Sequence, residues 1–589
     1  MAGQKISNFF NERFFEIPHY QRGYAWEKRN VEDLFNDIKE AQESTTGHYI
    51  GTIVLACKNT RDEDDVYVVD GQQRITTITL LIRELISRLS DSDRIYYWRN
   101  YIKNDGRYKL LPLNRDRQFF ADILDGNEVT PNNKSQRLLL GAVETIRNCV
   151  DTLSKDEIMP FFKAVLRMEV LSFMEVSEGD AIRIFQTVND RGKPLSSMEK
   201  AKALLIYYSN RYLDRELDSS INDLFSDIFE AYDDIKQIGE TLGINLIKGR
   251  DFNEDNLFRY HFVTFCEEDY DPTAASILLF LRSRLASLRG NKSELKTFIG
   301  CYSAELKEFF VKCREVMNLA ETDPFIYKLF VPLGLAARLY PLIVRLHEKG
   351  ILFNKIFEDG RSQARFVDLV ELIDVRVYKT RGTDPKADIA RLVHRIGRMS
   401  NDEIRDNLLA FNQNWMPIEM FSNNLSRSAY GNQALQYIFL TYSEKIDGRT
   451  YGIEDVKRIL QEQPNIEHIL AQTPGFDPQA FDFLDAEEFE SLQHSIGNLV
   501  SLEKKYNSEV KNKVPVEKTS TYARSMISAA RKIGTSINVK LHFKKADLEA
   551  RAEELVAFCK ERWWCKRPEL PPTIPSDLSG DMIENDSND

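Results

Sequence analysis

The run Val66-Tyr67-Val68-Val69-Asp70-Gly71-Gln72-Gln73-Arg74 and the stretch after it constrain this chain more than any other segment. Val66 to Val69 is a short β-branched run, the pattern of a buried strand. Ile75, Ile78, Leu81, Ile82, Leu85 and Leu89 then fall at helical spacing. A strand therefore passes to a helix through one tight turn, at a glycine that can take backbone angles other residues resist. Tyr49 to Ala56 predicts a neighbouring strand, with Lys58 to Asp65 as a charged turn between the two. A further strand is predicted over Val170 to Val176, and a helix over Val31 to Ala41. The N-terminal part thus reads as mixed α/β.

The turn has a chemistry of its own. The first turn of a helix leaves N–H groups unpaired and carries partial positive charge, so phosphate binds well there. Arg74 adds a planar fork of donors suited to phosphate oxygens. Gln72, Gln73 and the Thr76 hydroxyl line the same turn, and Asp70 is placed to hold a metal ion or orient a ligand hydroxyl. The alternative is a capped structural turn with Arg74 on a surface carboxylate. Two other segments favour a ligand. Ile17 to Trp26 combines Tyr20, Gln21, Arg22 and Trp26, a group able to stack on a base and contact phosphate. Tyr24 and Trp26 can equally be core residues. A polar loop, Asn189-Asp190-Arg191-Gly192-Lys193, follows a predicted helix over 179–188. Ser196 or Ser197 is expected to cap the next helix, with Glu199 or Lys200 in its first turn.

Beyond about residue 210 the pattern is helical almost throughout, with amphipathic stretches near Asp223–Ile238, Ala274–Leu288, Lys292–Ala320 and Pro332–His347. A C-terminal unit opens near Asn432 and runs to about Arg567, where a Pro-rich acidic tail begins. The expected domains are 1–209, 210–425 and 426–567, with a disordered tail over 568–589. The net charge of −12 argues against coating nucleic acid by bulk electrostatics, though not against a local basic grip. The seven cysteines are scattered without CxxC spacing, which favours reduced thiols over a zinc site. No apolar run reaches a membrane span and no signal core opens the chain, so a cytoplasmic location without membrane contact is expected.

A second constellation lies near the end. Ile466-Glu467-His468-Ile469-Leu470 suits a short strand, and Ile496 to Leu502 a second one. The lysine-rich helical stretch that follows carries Asn507. Phosphodiester cleavage needs a base for water and a cation to offset phosphate charge. His468 has the ordinary pKa for the base. Glu467 and Asn507 offer hard oxygen ligands for Mg²⁺ or Mn²⁺. Asn498 is expected to orient the histidine or shape the loop, and Lys518 to contact the scissile phosphate. His494 is read as structural.

These motifs resemble a known family. IPHYQRGYAW, YVVDGQQR and IFQTVNDRGKPLS look like the three signature segments of the ParB-related N-terminal domain of GmrSD-type, modification-dependent (type IV) restriction enzymes. IEHILAQ, IGNLVSL, Tyr506-Asn507 and Lys518 to Ser525 resemble the C-terminal HNH domain of the same enzymes. Ala471 stands where that family usually has proline. The resemblance implies an α+β, predominantly helical chain. Its parts would be a ParB/sulfiredoxin-like α/β domain, a helical middle, and a ββα-metal (HNH) site within a helical domain. It also implies binding and hydrolysis of a nucleoside triphosphate (GTP, ATP or CTP) without P-loop machinery, and cutting of modified phage DNA. A homodimer is a candidate assembly. Two rival readings are a nucleotide-controlled, non-specific nickase acting in abortive infection, and a nucleotide-gated DNA-binding protein with an inactive HNH fold.

Overall fold

The computed structural model describes residues 4–563 apart from 12, 19–20, 22, 43–48, 60–61, 176–195, 250, 268, 358–362 and 474–476. It is predominantly helical, with an α/β sheet at the N-terminal end. The chain forms two compact units. One comprises Met1–Thr241, Ile247–Phe262 and Pro272–Met317; the other comprises Leu242–Leu246, Val263–Asp271 and Asn318–Asp589.

The first unit is built on six strands: β1 (Gln4–Lys5), β2 (Phe14–Glu16), β3 (Tyr49–Asn59), β4 (Asp62–Asp70), β7 (Leu110–Leu111) and β8 (Glu169–Glu175). Their order is β1-β8-β3-β4-β2-β7. A separate small hairpin pairs β5 (Lys103–Asn104) with β6 (Arg107–Tyr108). β3 and β4 are antiparallel, with Leu55 opposite Val68, whereas β3 and β8 run parallel. Both members of the β3–β4 pair are longer than their β-branched cores predict, and strand structure extends into the expected charged turn.

β4 ends at Asp70, Gly71 takes φ 90°, and the helix Gln72–Ser87 begins. Ile75, Ile78, Ile82 and Leu85 are fully buried among β3, β4 and the surrounding helices. Each such side chain contributes roughly 1.5–3 kcal/mol of apolar burial, which holds the turn rigidly in place. The helix Ser197–Tyr212 opens on Ser196, whose hydroxyl accepts from the Glu199 N–H while Glu199 Oε2 accepts from the Ser196 N–H. That is a capping box. The helices Asp218–Leu242, Ala274–Leu288 and Lys292–Thr322 follow the predicted periodicity.

In the second unit the stretch 332–347 departs from expectation. Gly334 has φ 67°, and a 3-10 turn at Ala337–Leu339 precedes a shorter helix, Tyr340–Glu348. Pro341 sits in the first turn of that helix, where its missing N–H is harmless; three or four residues later it would break a hydrogen bond. A π-helix spans Asp374–Thr380. Near the C-terminus β9 (Asn465–His468) pairs antiparallel with β10 (Leu499–Leu502), setting His468 opposite Leu499 and Glu467 opposite Val500. The helices Lys504–Val510 and Pro515–Tyr522 come next. Residues 496–498, expected to open the second strand, form a 3-10 turn instead. No helix of the described residues is long and apolar enough to cross a membrane. None of the six described cysteines forms a disulfide, and Cys565 lies outside the described residues.

Candidate functional site

Successive residues of a strand point to opposite faces, so Glu467 and His468 look out on different surroundings. On the His468 side, Nε2 lies 3.2 Å from Nδ1 of His494. The Tyr430 ring sits 4.6 Å from the His468 ring and stacks on His494 at 5.2 Å. Tyr430 is held there because the Ala429 N–H donates to the His494 carbonyl at 2.8 Å. Burial, then the neighbouring His494 and Lys518, lower the His468 pKa to about 4. The imidazole is therefore neutral at physiological pH.

The Glu467 side is a closed cage. Lys518 Nζ donates to Glu467 Oε1 at 2.6 Å and to the His468 carbonyl at 2.7 Å, and the Tyr522 hydroxyl reaches the same carboxylate oxygen at 3.3 Å. Lys518 and Tyr522 are four residues apart on one helix, which puts both on one face. Burial pushes the Glu467 carboxyl up and the Lys518 ammonium down, each opposed by the partner's charge. Lys518 has no exposed side-chain surface, so its ammonium supports the Glu467–His468 strand and is not presented to a phosphate.

Asn498 shapes the loop and leaves the imidazole alone. Its Oδ1 accepts from the Leu470 N–H at 2.8 Å, and its Nδ2 donates to the Leu470 and Gln493 carbonyls. Ala471, at the position of the missing proline, is buried within this clamped turn. The Asn507 amide donates to Asn465 Oδ1 and, at 3.4 Å, to the Ile466 carbonyl.

In the first unit the Asp70–Arg74 turn is tied mainly to the segment before Trp26. Gln21 Nε2 donates to the Val69 carbonyl at 2.6 Å, and Gln72 Nε2 donates to Gln21 Oε1 at 3.0 Å. Gln73 accepts from the Ala25 N–H and donates to the Gly23 carbonyl. Arg74 Nη1 donates to the Thr52 carbonyl at 2.9 Å, not to a surface carboxylate. A Cβ on Gly51, which has φ 110°, would meet that same nitrogen at 2.7 Å. The Thr76 hydroxyl is buried and bonds back to the Gln72 carbonyl. Asp70 accepts from the Gly71 N–H, and burial raises its pKa. Trp26 packs partly buried against the core, and Tyr24 is buried with its hydroxyl on Thr77. Tyr20, Arg22, Asn189, Arg191 and Lys193 lie outside the described residues.

The N-terminal domain model of the GmrSD restriction endonucleases matches residues 6–206, and the family's C-terminal domain model matches residues 415–558. The chain has a GmrSD-type restriction endonuclease architecture. No curated protein matches it. That architecture supports a restriction endonuclease function, with DNA as the substrate. In this GmrSD-type chain, Asp70–Arg74 falls in the first matched region, and Tyr430, His468, His494 and Lys518 fall in the second.

Sequence reasoning missed two features of the GmrSD-type chain. His494 is the partner of the His468 ring, a role that its 26-residue separation hides. A cavity of about 570 Å³ also opens beside Gly23–Ala25, with Arg115, Lys134, Tyr232 and Asp233 in its wall. Those four residues come from three helices and share no motif.

Proposed function

We propose that the chain is a modification-dependent, type IV-like DNA endonuclease of HNH type, regulated by a nucleoside triphosphate bound in its N-terminal unit. The observation that carries this reading is the strand-turn-strand-helix around His468, with a neutral imidazole on one face and a caged carboxylate on the other. His468 takes the proton of an attacking water; the negative phosphate arriving beside it raises its basicity from the ligand-free value. His494 holds the ring at Nε2 and Tyr430 covers it, which fixes the direction of proton transfer. A hard divalent cation needs oxygen donors; Glu467 and Asn507 are the candidates in the second matched region, but Lys518 holds the Glu467 carboxylate and no group of three His, Cys, Asp or Glu residues stands together among the described residues. When bound there, Mg²⁺ or Mn²⁺ would supply charge neutralisation at the phosphate. Asn498 keeps the turn after the base closed.

The nucleotide reading rests on the Asp70-Gly71-Gln72-Gln73-Arg74 turn at the opening of a buried helix. Carboxylates such as Asp233, Glu254 and Asp255 in the adjacent cavity suit a magnesium-bound triphosphate better than a bare one. One observation favours a second reading, a nucleotide-gated DNA-binding protein with an inactive site. The Glu467 carboxylate is already neutralised by Lys518, which competes with any cation.

A digestion series on plain, glucosylated-hydroxymethylcytosine and phosphorothioate DNA, with and without nucleotide, tests the proposal. Wild type is expected to cut at least one modified substrate and His468→Ala none. Equal behaviour of the two proteins on every substrate would overturn it.

A further inference from the structure

A second cleft in the C-terminal unit, away from the hairpin, has the chemistry of a nucleotide site. It encloses about 600 Å³ and is lined by Arg381, Arg391, Arg395, Asn407, Asn414 and Trp415, among others. That volume suits one small ligand unit. The whole chain carries a net charge of −12, yet three arginines line this cleft against one carboxylate, Asp388. Arg391 and Arg395 lie one turn apart on the helix Lys386–Arg395 and so share a face. Arg391 donates to Asp388 at 2.7 Å and Arg395 to Glu267 at 2.9 Å. Both pairs are half-exposed and hold little energy. Each guanidinium has five N–H donors, so each keeps donors for phosphate oxygens.

The aromatic element of the cleft is fixed in place. Trp415 Nε1 donates to Asp388 Oδ2 at 3.0 Å, and the Arg381 guanidinium lies 5.3 Å from the Trp415 ring centre while donating to the Trp415 carbonyl. A pre-positioned indole–guanidinium pair is a platform on which a base can stack.

Two links join the platform to the candidate active site within the same unit. Arg381 directly follows the π-helix Asp374–Thr380, and π-helical segments recur at functional sites. The Thr380 hydroxyl accepts from Asn432 Nδ2 at 2.9 Å, two residues from the Tyr430 that covers His468. On the other side, the helix Ile418–Arg427 separates Trp415 from Tyr430.

We propose that this arginine–tryptophan cleft holds one nucleotide of the DNA strand being cut, its phosphate on Arg391 and Arg395 and its base against the Arg381–Trp415 pair. The proposal rests on the endonuclease reading for its substrate, and it names the surface of the second unit that receives the strand. A nucleotide extruded from a duplex meets stacking here that a paired base cannot reach.

The test is a fluorescence-anisotropy titration of the full chain in EDTA, so that binding is read without cleavage. The probes are a short fluorescein-labelled single strand and the perfect duplex of the same sequence. Free deoxynucleoside triphosphate is the competitor. The double variant Arg391→Gln/Arg395→Gln is expected to bind the strand at least about tenfold more weakly, with a salt slope reduced by about 0.7, the single-strand value for one neutralised phosphate. Arg391→Lys/Arg395→Lys should retain most of that slope, which separates lost charge from lost folding. Trp415→Leu should weaken the single strand more than the duplex. Unchanged strand affinity and slope in the folded Gln variant would overturn the proposal. So would displacement of the strand by free nucleotide with equal loss of both in the variant, which marks a free-nucleotide pocket. Failure of His468-dependent cutting leaves the binding result standing, so the two readings fail separately.

Discussion

His468 Nε2 and His494 Nδ1 lie 3.2 Å apart, two imidazoles on facing segments with the Tyr430 ring against both. A hydrogen bond between the two rings uses one proton, which couples their tautomers. His494 also lowers the affinity of His468 for a second proton. Replacing His494 with Ala removes the neighbouring ring that opposes protonation of His468 and opens the ring to water, and both changes move the His468 pKa upward. A base works only while unprotonated, so activity is lost as pH falls through its pKa. The acidic limb of the kcat/KM profile should therefore appear at higher pH in His494→Ala than in wild type. An unshifted limb counts against His468 as the base.

The Lys518–Glu467 pair should dominate the stability of the hairpin. Lys518→Met strands a buried carboxylate, a change that costs about 3–5 kcal/mol in buried pairs. The double variant Lys518→Met/Glu467→Gln should recover much of that loss. Urea unfolding of the four proteins in a double-mutant cycle checks this. If Lys518→Met alone costs under about 1 kcal/mol, the cage is not the support described.

Asp374 gives the chain an acid-side gain in stability. Burial raises its pKa to about 7, with the Lys379 charge and the Ala336 N–H opposing the shift. The unfolded carboxyl titrates near 3.8. Between those values the folded state holds the extra proton, so this group's contribution is greatest below about pH 4. It falls as pH rises toward 7, by up to about 4 kcal/mol at 1.36 kcal/mol per pKa unit. Asp374→Asn should flatten that slope in unfolding measured from pH 5 to 8. An unchanged slope would assign it to other groups.

Gly51→Ala tests the N-terminal turn. The added Cβ would meet Arg74 Nη1 at 2.7 Å and would sit at φ 110°. Strain of this kind is of order 1–3 kcal/mol. The expected outcome is a displaced Arg74 with weaker triphosphate binding by calorimetry, while Gly106→Ala, which has open space around it, leaves binding intact. Equal binding by Gly51→Ala and wild type would remove Arg74 from the nucleotide site.

Much of this was legible in the sequence where the signal is local. The strand-Gly71-helix junction follows from β-branched residues and 3.6-residue spacing, and the Ser196–Glu199 capping box from four consecutive positions. His468 was found by its order relative to Asn498 and Asn507. The destination of each side chain was harder to read. Lys518 looks like a phosphate ligand in sequence because nothing local shows that it faces a carboxylate 51 residues earlier. His494 was passed over for the same reason, and Arg115 and Lys134 meet only because two helices pack together. The halt at 332–347 depends on proline and glycine positions that a periodicity count overrides.

The pleat of β9 makes the order of two letters inviolable. Glu467 and His468 serve different surroundings only because the strand turns over once per residue. A single-residue insertion or deletion just upstream would slide the hairpin by one step. It would thrust the imidazole against Lys518 and expose the carboxylate to Tyr430. Both side chains would survive in the gene, and neither would find its partner. Evolution can therefore vary the long loop between the strands in length far more freely than it can alter the few residues between Gln461 and Glu467.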